Sequence, residues 1–159
     1  MLNQRPDLDL APVGEDDAHE IMLLLNRIID ARTYTSMTET MSVADQRRFI
    51  ATLPDRAIYL AARDGRSGRI LGVQDCLPAP EDKEQCDIST FVSLDAFRRG
   101  IGRALFERTA DDARQLGYRR IRAVMRTDNT HALNYYGAMG FRTALSRNGK
   151  TEAILELPA

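Results

Sequence analysis

The chain has 159 residues, 43% hydrophobic and 28% charged, which fits one globular domain with a sizeable core and excludes a disordered chain. A formal net charge of −1 argues against a whole-surface nucleic-acid binder. No apolar run is long enough to span a membrane and the first residues lack the apolar core of a signal peptide, so a cytoplasmic location is expected.

Residues 8–13 alternate Leu8 and Leu10 with polar neighbours and predict a first strand, with Pro12 at its end or edge. Residues 15–31 carry Ile21, Leu24, Leu25, Ile28 and Ile29 at helical spacing, with acids in the first turn. Residues 32–42 are polar apart from Tyr34, Met37 and Met41 and lack a period; they read as a loop, either a functional cover or a plain connector. Ser42, with Asp45 three residues on, caps a second helix over 43–53 that Pro54 ends. Strands follow at 57–62 and 69–77, joined by the Asp64-to-Gly68 turn, and a second turn is expected over 78–83. Cys76 and Cys86 could face each other across that hairpin. They are too few and wrongly spaced for a Cys-x-x-Cys zinc site, and the only histidines are His19 and His131, so no metal and two free thiols are expected.

Residues 84–94 predict a strand, 95–99 a polar turn, and Gly100 onward a helix that stops at Gly117. Gly100 and Gly102 thus fall in the first turn of a helix leaving a strand, where each glycine costs about 1 kcal/mol against alanine. Close backbone approach to a ligand is one reason to keep them. The first N–H groups of a helix lack internal partners and the dipole makes that end positive, so an anion suits it. Arg98, Arg99 and Arg103 add charge there. A tight turn with solvated arginines is the plainer reading. Residues 119–126 alternate Ile121, Ala123 and Met125 with arginines and predict a strand parallel to the one before the helix. Asp128, Asn129 and Thr130 can cap a helix over 131–139. Strands at 141–145 and 151–157 flank an Asn148-Gly149 turn.

These elements predict a single α/β (α+β) domain over 1–159, a mixed sheet of six to seven strands flanked by about four helices. Two phosphate motifs fail on inspection. Gly149-Lys150-Thr151 lacks the earlier glycine of a P-loop and precedes a strand, and Leu105 occupies the third glycine position of a dinucleotide fingerprint.

Two other motifs stand at a specific separation. Phe97-Arg98-Arg99-Gly100-Ile101-Gly102 follows a strand carrying Val92, and Asn129, Ala132, Tyr136, Gly140 and Phe141 fall at fixed spacing in and after the last helix. Together they resemble the GNAT family of N-acetyltransferases, and the element order matches from Leu8 to Leu157. One departure is Phe97, where the family usually has Arg or Gln.

The resemblance implies acetyl-CoA as co-substrate. Its pyrophosphate would lie on the backbone of Gly100, Ile101 and Gly102 with Arg98, Arg99 and Arg103 beside it. Its pantetheine would pair with Phe91 and Val92 between splayed strands, with Asn129 on the CoA arm. An amine of a small molecule or peptide would attack directly, with Tyr136 as the general acid. Candidates for a base are Glu84 and Asp87, which face opposite ways on their strand, and Glu39 in the loop expected over the site; relay of the proton through water, as in many members of the family, is the alternative. Tyr34 and Glu39, in the loop expected over the site, are candidate substrate contacts. Residues 33–49 resemble the matching part of phosphinothricin acetyltransferase-like members, which points to a small amino-acid-like amine. No membrane or nucleic-acid partner is implied, and a homodimer is compatible with the fold. The alternatives are a non-catalytic acyl-CoA-binding regulatory module on the same fold, against which Tyr136 argues, and a nucleotide-binding module using the glycine turn.

Overall fold

Period-two patterning builds one sheet from β1 (Leu8–Pro12), β2 (Ile58–Asp64), β3 (Ile70–Ala79), β4 (Asp82–Val92), β5 (Arg120–Arg126), β6 (Arg142–Arg147) and β7 (Lys150–Glu156). Around it lie α1 (Ala18–Ala31), α2 (Val43–Ala51), α3 (Ile101–Gln115) and α4 (Thr130–Ala138). The structure is a computed structural model that describes residues 7–31, 39–97 and 99–159. Strand order is β1-β2-β3-β4-β5-β7-β6. Every neighbouring pair is antiparallel except β4 and β5, the two strands joined through α3.

Alternation along the strands gives the sheet two apolar faces. One packs Leu60, Cys76, Ile88 and Ile121 against Ile101, Leu105 and Phe106 of α3 and Tyr136 of α4. The other packs Tyr59, Ala61 and Val73 against Ile21, Leu25 and Ile28 of α1 and Ile50 of α2. The expected cap forms at α2: Ser42 Oγ accepts from the Asp45 N–H at 3.0 Å. Cys76 and Cys86 are buried free thiols on diagonal positions of β3 and β4.

The second expected turn is shorter in the structure. β3 runs through Pro78, paired with Cys86, and ends at Ala79. Alternation turns the Pro78 nitrogen away from β4 and past the end of β2, whose pairing stops at Ile58 and Cys76, so no ladder bond is lost; the register shifts between Pro78 and Ala79. The turn then closes with Asp82 accepting from the Glu84 N–H at 2.9 Å.

The feature that positions the site is where β4 and β5 stop pairing. Only residues 85–88 of β4 face residues 120–123 of β5. Beyond them β4 stays paired with β3 through Val92, while β5 stays paired with β7 through Arg126. The two parallel strands therefore part, and their inner edges border an open wedge.

Candidate active site

A cavity of about 550 Å³ fills that wedge, lined by residues 88–92 of β4, 124–126 of β5, the first turn of α3, and α4. Backbone direction along β4 tells which groups reach it. The Glu84 carbonyl accepts from the Arg119 N–H on the β5 side, and the Ser93 N–H bonds the Leu71 carbonyl on the β3 side. Alternation then turns the main chain of Thr90 and Val92 toward the wedge and that of Phe91 toward β3. Phe91 and Val92, the two residues expected to pair with pantetheine, both border the cavity, and of the two only Val92 turns its main chain toward the wedge, as Thr90 does.

The two glycines of the strand-to-helix turn serve different ends. Gly100 is the N-cap of α3 at φ 78°, with open space where a Cβ would stand. Glycine adopts this left-handed conformation without penalty. No side chain caps the helix, and the first internal bond is Ala104 N–H to the Gly100 carbonyl at 3.0 Å. The N–H groups of Ile101, Gly102 and Arg103 thus lack acceptors among the described residues and border the cavity, a cradle for an anion. Gly102 instead makes room for a neighbour: a Cβ there would lie 2.7 Å from Cε1 of Tyr135. The Tyr135 hydroxyl donates to the Gly102 carbonyl at 2.7 Å, fastening α4 to the first turn of α3.

Arg99 and Arg103 are exposed beside the cradle, and Arg103 borders the cavity. Phe97 stacks on the His131 ring, centroids 4.7 Å apart and planes 19° apart. The phenyl ring at the usual Arg or Gln position thus packs against an aromatic partner. Asn129 is 5% exposed, borders the cavity and caps α4, its Oδ1 accepting from the Ala132 N–H at 3.1 Å.

Tyr136 is 7% exposed, and its hydroxyl lies 2.9 Å from Thr90 Oγ1. Gln74 Nε2 donates to the same Thr90 oxygen at 2.9 Å and to the Tyr135 hydroxyl at 3.1 Å. Burial raises the Tyr136 phenol well above the usual tyrosine range, the Thr90 bond opposing it. Tyr135 is pushed up to about 12, again mainly by burial. Both phenols are therefore protonated at neutral pH.

The two strand carboxylates considered as bases do not border the cavity. Glu84 is exposed, 3.6 Å from Arg120. Asp87 lies on the α1 side of the sheet and is gripped by Arg122 through two bonds of 2.8 and 3.0 Å. Arg122 also meets Glu81 at 2.9 Å and Glu152 at 3.3 Å. Glu39 is exposed, and Tyr34 and Arg98 lie outside the described residues. Sequence reasoning missed Gln74, Thr90 and Tyr135, because no motif spacing marks a hydrogen-bonded set drawn from three elements. It also missed Asp75, although a lone carboxylate inside the apolar run of β3 is a signal in itself.

A family model described as "Acetyltransferase (GNAT) family" matches residues 23–141. No curated protein matches the sequence significantly. Solved structures do share the fold. A GNAT superfamily phosphinothricin acetyltransferase from Sinorhizobium meliloti, in complex with acetyl-CoA, is 19% identical over 94% of this chain and 88% of its own, with a TM-score of 0.83. An N-acetyltransferase from Staphylococcus aureus Mu50 is 18% identical over 96% and 99%, with a TM-score of 0.85. A GNAT-family protein from Kribbella flavida is 22% identical over 94% and 98%, with a TM-score of 0.81.

Proposed function

The chain belongs to the acetyltransferase (GNAT) family, and on that premise we propose that it is an N-acetyltransferase moving the acetyl group of acetyl-CoA to a primary amine of a small molecule or peptide by direct attack. The observation that carries this reading is one cavity bordered at one end by the uncapped α3 N-terminus and along its length by Tyr136. The free N–H groups after Gly100, with Arg103 beside them, suit a pyrophosphate. The open β4 edge at Thr90 and Val92 suits an amide-bearing arm that adds as a strand would.

Tyr136 is the proposed acid. Because Thr90 Oγ1 already accepts from Gln74, its own hydrogen is free to go to the Tyr136 oxygen. The phenolic proton is then left for the departing thiolate. A phenol raised by burial keeps that proton until a stronger base forms beside it.

The test is a panel of amines with acetyl-CoA, followed by the appearance of free thiol. Small amino-acid-like amines head the panel, following the resemblance of residues 33–49, with polyamines, aminoglycosides and peptide N-termini after them. Amine-dependent thiol release with acetylated product supports transfer. Tight acetyl-CoA binding with no release for any amine supports the non-catalytic module.

A further inference from the structure

On the α1 side of the sheet, Tyr59 of β2, Asp75 of β3 and Ser89 of β4 stand directly opposite one another in register. Residues so paired project from the same face. Ser89 is exposed and borders the cavity, together with Phe91 and with Ile28 of α1. The next residue, Thr90, holds Tyr136 through the opposite face. Asp75 is therefore one strand away from the wedge and on the far side of the sheet from the proposed acid; like Glu84 and Asp87 it does not itself line the cavity, but unlike them it stands directly opposite a residue that does, Ser89.

The Asp75 carboxylate is partly buried, and no hydrogen bond or ion pair to it exists among the described residues. Among the described residues its surroundings are apolar or already paired. α1 presents Ile21, Leu25 and Ile28 to this face, and α2 presents Ile50 with Phe49 packed beside it. Tyr59, against the Phe49 ring at 5.5 Å, is raised first by burial and then by the Asp75 charge. Asp87, diagonal to Asp75 on β4, is committed to Arg122. Burial pushes Asp75 up to about 7. A second unused acceptor lies on the same wall. Gln46 is 1% exposed and its Nε2 donates to the Tyr59 hydroxyl at 2.8 Å, while its Oε1 has no partner among the described residues.

Unpaired acceptors of this kind are costly unless something supplies donors. An alkyl ammonium brings three N–H donors and one positive charge. Resting on the acetyl-transfer reading, we propose that Asp75 is the catalytic base of this protein: it seats the ammonium group of the acceptor beside Ser89 and takes its proton. An ammonium N–H bond breaks and the proton goes to an Asp75 oxygen. The freed lone pair forms the C–N bond at the thioester carbon. The C–S bond breaks with Tyr136 protonating the sulfur. The second amine proton restores the Tyr136 phenol, and Asp75 releases its own to solvent.

The test compares wild type with Asp75→Asn, which keeps the shape and removes the charge, using an acceptor found by the amine panel. At pH 7 the variant should lose roughly 10²–10⁴-fold in kcat/KM, the usual worth of a positioned base, while binding acetyl-CoA as wild type does by calorimetry. The loss should shrink as pH rises toward the pKa of the amine, because solution then supplies the neutral nucleophile. It should nearly vanish for a weakly basic acceptor such as trifluoroethylamine, which is largely neutral at pH 7. An Asp75→Asn variant within threefold of wild type on an alkyl ammonium at pH 7 overturns the assignment, as does an equal loss on both kinds of amine. Wild type that releases no thiol with any amine overturns the transfer reading itself. Transfer by wild type with an unimpaired variant overturns the Asp75 assignment alone.

Discussion

At Tyr136 the ring and the hydroxyl do separable jobs. The ring packs at 5.1 Å from Phe141 and 4.9 Å from Tyr135, and the hydroxyl meets Thr90. Tyr136→Phe keeps the packing and removes the proton. Its single-turnover rate should fall roughly 10²–10⁴-fold, typical for a lost general acid, with acetyl-CoA affinity almost unchanged. Single-turnover measurement removes any masking by product release. A variant that turns over as wild type does takes Tyr136 out of the mechanism. The sequence marked this residue because its spacing from Asn129 and Gly140 is fixed by one helix. Asp75 left no such mark. Its sequence signal is only a carboxylate inside an apolar strand; that it has no partner among the described residues appears only when β2, β4, α1 and α2 are assembled around it.

At the scale of elements, the strand–turn–helix from β4 into α3 was legible because each piece has its own local chemistry: β-branched residues, then a glycine, then a helical period. The separate reasons for the two glycines were not, since one is a dihedral and the other a contact made 33 residues away. Gly100 needs its positive φ, whereas Gly102 leaves room for Tyr135. Gly102→Ala should therefore destabilise the α3–α4 contact by crowding the ring, although alanine favours the helix by about 1 kcal/mol. In a denaturant-melt double-mutant cycle, Gly102→Ala and Tyr135→Ala should be non-additive, the second change relieving much of the first. Strict additivity would mean that the ring moves aside freely and that Gly102 is kept for the ligand instead. Ends of elements were read less well for a related reason. The extension of β3 through Pro78 depends on β2 pairing ending at Cys76, so that no neighbour needs the missing N–H, which no local propensity announces.

For the whole molecule, the wedge between β4 and β5 unites these readings. Pairing stops after residue 88 on one strand and residue 123 on the other, so the middle of the sheet carries unpaired backbone and lone polar side chains. Such a centre trades stability for a site. The trade can be measured at Asp75. Burial pushes its carboxyl up to about 7 from an ordinary 3.8, so between those pH values the folded state holds more proton than the unfolded one. Stability therefore falls as pH rises through that window, the reverse of a carboxylate held low by an ion pair. Removing the charge should reverse this loss. Asp75→Asn is expected to melt higher than wild type at pH 8 by a few degrees, an unsatisfied buried group being worth about 1–3 kcal/mol. The difference should close toward pH 4, where both side chains are neutral. Saturating amine substrate should raise the wild-type melting temperature more than that of the variant, since only wild type offers the ammonium its counter-charge. A variant less stable than wild type at pH 8 would mean that the Asp75 carboxylate is supported by the fold. A group so supported would have no need of a substrate to complete it.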